Sequence, residues 1–309
     1  MSLEWKILEF FDSMRNTFFN YFNYFVSTIL GSLFLIILFL IIYWLYDKDK
    51  GLIIGYTLVS SFLINNFVKG LVNRRRPFEY EGHEYLRKLV DTSLKDGATG
   101  TSFPSGHSQN SAALYSSVCL QYNAKRLLVV RIVFIAFIIL VGISRIYLGV
   151  HFPSDVLTGI VIGVAIAFLC AFLQDMFGEK KWILYIVTLT IFTPCLFFKN
   201  SEGSFLFGRD FLKSYGMILG FASGAFLEEK TVNFGCNVPK LQKLLRLAIG
   251  LAIVGVAYLI YGIVPKDIHE NAIFTIVMHF LIAFLGIYVV PLIFTKIEDR
   301  KSVGRERVC

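Results

Sequence analysis

The chain has 309 residues, 56% of them hydrophobic and only 17% charged. A soluble domain carries closer to about a quarter charged residues, and several apolar runs here reach the roughly 20 residues that cross a bilayer, so soluble, disordered and fibrous classes are excluded. The formal charge of +8 therefore reads as membrane topology and attraction to anionic headgroups; no aromatic-plus-basic motif points to nucleic acid.

Residues 5–23 place Ile7, Leu8, Phe11, Met14, Phe18, Phe19 and Phe22 at helical spacing, with Glu9, Asp12, Arg15 and Asn16 largely on another face. This predicts an amphipathic interfacial helix, assigned to 1–23, with direct continuation into the first span as the alternative. Apolar runs over 26–46, 52–72, 105–122, 127–147, 155–176, 182–198, 211–227, 245–264 and 273–295 then predict an all-α, polytopic membrane helix bundle with about nine transmembrane helices. Residues 24–178 are expected to form the catalytic core, and 179–309 additional helices and a tail. The longest polar connection, 73–104, is expected to cap or flank a site. Glycines at four-residue spacing, Gly159 with Gly163 and Gly216 with Gly220 and Gly224, predict close helix packing in lipid. Cys119, Cys170, Cys195, Cys236 and Cys309 are scattered and read as small core hydrophobes. Neither half repeats the other, so the pointer to an inverted-repeat transporter is missing.

Once the segment from Lys69 to Lys95 is set aside, the connections after spans one, three, five and seven, with the tail, hold about twice the Lys and Arg of the opposite side. This orientation puts the C-terminus in the cytoplasm and the polar constellation on the far side. The Lys/Ile/Phe/Asn-rich make-up suggests a bacterial cell membrane.

That constellation is Lys69 and Arg76-Pro77, then Pro104-Ser105-Gly106-His107, then Ser144-Arg145 with His151 and Asp155. Each block falls at the end of an apolar segment. A phosphate ester needs fixed positive charge, donors for its oxygens, a nucleophile and an acid. His151 and Asp155 lie four apart at a helix start, where a carboxylate fixes one ring nitrogen and leaves the other able to attack. His107 follows a Pro-Ser-Gly helix start, whose free N–H groups favour an anion, and is placed to protonate a leaving alkoxide. Lys69, Arg76 and Arg145 supply the charge that a phosphoryl transition state spreads over its oxygens. Singly, each cation is as well explained by snorkelling to headgroups.

The spacing K-x6-R-P, P-S-G-H and S-R-x5-H-x3-D resembles the type 2 phosphatidic acid phosphatase superfamily over roughly 25–175, without departure at the defining positions. The resemblance implies a phosphohistidine at His151 supported by Asp155, with His107 as acid and base. It also implies phosphate held by Lys69, Arg76, Ser105, Gly106 and Arg145, and neither metal nor cofactor. The expected activity is hydrolysis of a membrane lipid phosphate, phosphatidic acid-like, isoprenyl or sphingoid, at the extracytoplasmic face. The extra spans also look like the glucose-6-phosphatase and sphingosine-phosphate phosphatase branches, which keeps a soluble sugar phosphate as an alternative. An anion transporter without hydrolysis is the alternative of another class, and transfer to an acceptor other than water stays open. Oligomeric state is not legible.

Overall fold

A computed structural model describes residues 3–87, 100–122, 127–200 and 205–306. Parts of the 73–104 connection and of the tail, with Cys309, lie outside the described residues. Ten helices carry the fold: α1 (Leu3–Ser13), α2 (Thr17–Tyr46), α3 (Lys48–Val72), α4 (Gly106–Gln121), α5 (Leu128–Tyr147), α6 (Pro153–Phe177), α7 (Lys181–Phe192), α8 (Gly208–Leu227), α9 (Lys240–Ile263) and α10 (Ala272–Glu298). Among the described residues the only extended pairing is an isolated bridge between Lys199 and Phe205.

Six helical runs among the described residues are long and apolar enough to cross a membrane, fewer than the nine expected. The run Pro153–Leu196 holds two of the expected segments, joined through Gly178 at a φ of +52°. Helices also form at 105–122 and 211–227, as α4 and α8, but neither is among the six. α4, at 16 residues, is shorter than the six spans, and it carries a buried polar ladder. Ser108, Gln109, Asn110 and Ser111 are buried, and Ser61 Oγ donates to Asn110 Oδ1 at 2.7 Å. Asn65 Nδ2 donates to Gln109 Oε1 at 2.9 Å, and Gln109 Nε2 to the Ser61 carbonyl at 3.0 Å. Buried amides that satisfy one another in this way cost little in a helix shielded from lipid.

The single helix expected over 5–23 is broken. α1 stops at Ser13, and Asn16 caps α2 by accepting from the Phe19 N–H at 3.0 Å. Thr17 to Phe25 continue directly into the first span.

Close packing positions the site. A Cβ on Gly163 would lie 2.2 Å from the Gln109 carbonyl oxygen, and one on Gly220 2.2 Å from that of Phe280. The backbones of α4 and α6, and of α8 and α10, therefore touch with no side chain between them. One apolar cluster runs through α2, α3, α4, α6, α8 and α10, including Trp44, Leu63, Tyr115, Ile166, Phe221 and Phe294. A second, smaller cluster joins Leu8 of α1 to Phe78, Leu86, Tyr147, Leu148, Val150 and Phe152. Arg15 adds a bond from Nη2 to the Tyr147 carbonyl at 2.8 Å. Together they pin the short α5–α6 connection, which carries His151.

Candidate active site

Each block of the constellation enters from a helix end, and the local sequence explains why. α3 stops because Asn73 adopts the left-handed conformation (φ +48°) while its N–H bonds the Lys69 carbonyl at 3.0 Å, an arrangement asparagine tolerates. Arg76 is extended, as a residue before proline must be. The chain thus turns back with the Arg76 side chain buried. Its Nε donates to the Gly100 carbonyl at 2.9 Å, and its Nη1 to the Val150 carbonyl at 2.9 Å. The same Nη1 stands 3.2 Å from His151 Nε2. Lys69 Nζ donates to the Thr101 carbonyl. On α4, Gly106 and His107 form the first turn. On α6, Pro153 takes the first position, and Asp155 Oδ2 accepts from the Phe152 N–H at 2.8 Å.

His151 sits in the connection with its two ring nitrogens in different surroundings. Nε2 faces Arg76, and Nδ1 faces Ser102 Oγ at 3.4 Å and Asp155 Oδ2 at 3.6 Å. Ser102 Oγ donates to that same Oδ2 at 2.5 Å. Burial first, and then the positive fields of Arg76, Arg145 and Lys69, hold the His151 imidazole well below its ordinary pKa. A neutral ring with one nitrogen turned toward cations has the protonation state that a histidine nucleophile requires.

Lys69, Arg76, Gly106, His107 and His151 line one cavity of about 250 Å³, with Asn65, Asn66 and Asn110 from α3 and α4. Three other expected residues stand behind that wall. Asp155 is fully buried against His151. Ser105 is buried with its hydroxyl against Ser108 Oγ at 2.9 Å, while its N–H donates to the Asp155 carbonyl at 3.0 Å. Arg145 is 1% exposed and donates to Ser27 Oγ of α2, so it acts on the cavity through its field.

Four contributions were not anticipated from sequence. Ser102 tethers Asp155, as above. Arg74 donates from Nη1 to Asp155 Oδ1 at 2.8 Å and to Ser154 Oγ at 2.7 Å. Its Nη2 reaches Glu4 Oε2 of α1 at 2.8 Å, and its guanidinium lies 4.0 Å over the Phe152 ring. Glu4 Oε1 in turn accepts from the Ser154 N–H at 3.1 Å and Oγ at 2.5 Å. Burial alone would raise the Glu4 carboxyl, but the bonds from Ser154 and Arg74 outweigh it and hold the pKa below its ordinary value. Finally, α8 brings Asp210, Lys213, Ser214 and Met217 to the cavity wall. No local sequence signal ties Glu4 to the motif, which it meets at Ser154 across 150 positions.

The remaining histidines make ring and backbone contacts. His83 stacks on Trp5 with centroids 3.9 Å apart. His269 Nε2 bonds the Tyr261 carbonyl at 2.9 Å. His279 Nδ1 bonds the Thr275 carbonyl at 2.8 Å, and its ring meets Tyr261 edge-on. No group of three or more His, Cys, Asp or Glu suited to a metal occurs among the described residues.

Comparison with known proteins gives two consecutive family matches, the PAP2 superfamily over residues 50–179 and the PAP2 superfamily phosphatase transmembrane extension over 212–302. Lipid A 1-phosphatase of Rhizobium etli is 34% identical over 38% of this chain and 48% of its own. Phosphatidylglycerophosphatase B of Bacillus subtilis is 34% identical over 38% of this chain and 55% of its own. Undecaprenyl-diphosphatase of Sulfolobus acidocaldarius is 33% identical over 41% and 59%. The chain thus spans about half the length of the curated relatives it matches. The crystal structure of a PAP2 type phosphatidylglycerolphosphate phosphatase from Bacillus subtilis is 28% identical, with a TM-score of 0.45 over 55% of this chain and 84% of that one. With both matches in sequence order and the motif residues gathered at helix ends of an apolar bundle, this is an integral membrane protein, and the chain belongs to the PAP2 superfamily.

Proposed function

We propose that this protein is a metal-independent phosphatase of a membrane lipid phosphate, working through a phosphohistidine at the extracytoplasmic face with its C-terminus in the cytoplasm. The observation that carries this reading is the convergence of Lys69, Arg76, His107 and His151 on one cavity, with Asp155 behind the nucleophile. Relatives named for lipid A, phosphatidylglycerophosphate and undecaprenyl diphosphate support a lipid substrate. So does a site built at span ends, where a lipid presents its phosphate without leaving the bilayer.

The attacking atom is Nε2 of His151, since Nδ1 faces Ser102 and Asp155. Nε2 forms the N–P bond as the P–O bond to the leaving group breaks, and protonated His107 gives its proton to the departing alkoxide. Asp155 supports the positive charge that develops on the ring. Lys69 and Arg76 hold the equatorial oxygens, where positioning and electrostatics supply most of the rate. His107, now neutral, takes a proton from water; its oxygen attacks phosphorus and the N–P bond breaks, restoring both histidines. Residues 24–178 supply this chemistry, with the helices after 179 added to it.

Phosphate release from detergent-solubilised protein tests the reading on phosphatidylglycerophosphate, phosphatidic acid, undecaprenyl diphosphate and glucose 6-phosphate. Turnover of a lipid phosphate, lost by at least about 10³-fold in His151→Ala, is the expected result. Turnover of glucose 6-phosphate alone would overturn the lipid reading. Equal rates for the wild type and His151→Ala would overturn the mechanism.

A further inference from the structure

The phosphate cavity adjoins a second cavity of about 480 Å³, and Asn66, Lys69, Asp210 and Lys213 line both. These four stand at the neck between the two spaces. Two come from α3 and two from α8, the first helix of the extension. α8 is held in register there. Asn66 Nδ2 donates to the Asp210 carbonyl at 3.0 Å and to Ser214 Oγ at 2.6 Å. A Cβ on Gly70 would meet Phe207 at 2.5 Å, so α3 approaches the start of α8 directly. Within the neck, Lys213 Nζ donates to Asp210 Oδ1 at 2.8 Å, and each side chain is about one-third exposed, at 31% and 33%.

An ordinary i,i+3 pair at a helix start would explain the contact by itself. It does not explain why the pair forms the wall shared by the phosphate cavity and its neighbour. The chemistry of the pair limits what it recognises. It is neutral as a unit and sets a carboxylate acceptor beside an ammonium donor. A hydroxyl donates and accepts at once and satisfies both. A second phosphate only accepts, and would bring like charge against Asp210. Arg209, the further cation of the second cavity, is paired with Glu270 at 3.8 Å.

We propose that Asp210 and Lys213 form a headgroup subsite, supplied by α8, that reads a hydroxyl next to the scissile phosphate. The ligand class is a phosphomonoester on a glycerol or sugar headgroup, as distinct from a phosphate carried directly on a lipid chain or a diphosphate. This inference rests on the phosphatase reading above.

The test uses the full chain in mixed micelles with three substrates: phosphatidylglycerophosphate, its analogue lacking the free headgroup hydroxyl, and undecaprenyl diphosphate. The readout is the ratio of kcat/KM for the hydroxylated substrate over the deoxy analogue, which is internal to each protein and insensitive to its folded fraction. One charge-assisted hydrogen bond at a part-exposed site gives an expected wild-type ratio of about tenfold. Asp210→Asn and Lys213→Met are each expected to bring it to within about twofold of unity. A wild-type ratio near one, or a ratio unchanged in both variants, overturns the subsite while leaving the phosphatase reading intact. Selective loss of undecaprenyl diphosphate turnover in Lys213→Met, with the ratio preserved, overturns it in favour of an anion subsite. No turnover of any substrate overturns the phosphatase reading and the subsite with it.

Discussion

Replacing Arg74 with alanine separates the α1 brace from the phosphate site itself. The guanidinium gives Asp155 Oδ1 its charged donor at 2.8 Å and bonds Glu4 Oε2 directly at 2.8 Å, with a further bond to Ser154 Oγ at 2.7 Å. Asp155 is fully buried, whereas the Arg74 side chain is 25% exposed. A hydrogen bond to a charged group contributes about 1.5–3 kcal/mol, and water reaching the vacated position recovers part of it, so the lower end, about 1.5 kcal/mol, applies. That corresponds to about tenfold in kcat if the bond holds Asp155 in place for the developing imidazolium. Arg74→Ala also leaves two carboxylates facing one another without a cation. Glu4→Ala in the same background removes that repulsion, so the double variant is expected to recover part of the loss. Steady-state kcat on phosphatidylglycerophosphate and the thermal midpoint in detergent check both expectations. Wild-type kcat in Arg74→Ala, or a double variant whose losses simply add, would refute the reasoning.

Three further outcomes follow from the same geometry. His107→Gln should lower kcat by about 10²–10⁴ for an alkoxide leaving group but much less for p-nitrophenyl phosphate, whose leaving group needs no proton; equal losses on both would remove His107 as the acid. His151 is held below its ordinary pKa by burial and by Arg76, Arg145 and Lys69, with Asp155 and His107 the other titratable groups that face it. Because a depressed histidine keeps its free nitrogen to lower pH, the acid limb of kcat/KM should lie below about pH 6.5, and Arg145→Gln, which removes one positive field, should move that limb upward in a pH–rate profile. Gly163→Val places a side chain where a Cβ already sits 2.2 Å from the Gln109 carbonyl, so α4 and α6 must separate; a loss of about 1–3 kcal/mol is expected, read as a lowered thermal midpoint together with reduced activity.

Sequence pointed to the candidate catalytic groups because the proposed chemistry depends on residue type and short spacing. His151 and Asp155 are four apart, Arg76 precedes a proline, and His107 opens a helix; each relation is local and survives folding. What lay beyond reach was non-local. Glu4 meets Ser154 across 150 positions, and Ser102 meets Asp155 across 53. The contribution of α8 was hidden in the same way, since 211–227 reads as an apolar span and only the fold sets Asp210 and Lys213 on the cavity wall, with Asn66 bonded to the Asp210 carbonyl. The helix count blurred for a related reason. Hydropathy reports what a segment shows to lipid, whereas α4 keeps Ser108, Gln109 and Asn110 inside the bundle, where amide partners stand in for water.

The charges around the site explain why these distant residues belong with the local motif. Lys69 and Arg76 line the cavity and Arg145 adds its field from behind. On the other side of His151, Asp155 and Glu4 share the single cation Arg74. Formal charges then leave three cations against one unbalanced carboxylate, a surplus that matches a phosphate monoester dianion. Without Glu4, Arg74 would cancel Asp155, and the nucleophile would lose the negative partner that favours its cationic, phosphorylated form. Without Arg74, two buried or half-buried carboxylates would repel each other beside the nucleophile. Under the proposed mechanism the α1 brace would let one histidine be held neutral by cations at rest and supported by a carboxylate during transfer, two demands that a single acid beside the ring does not meet alone.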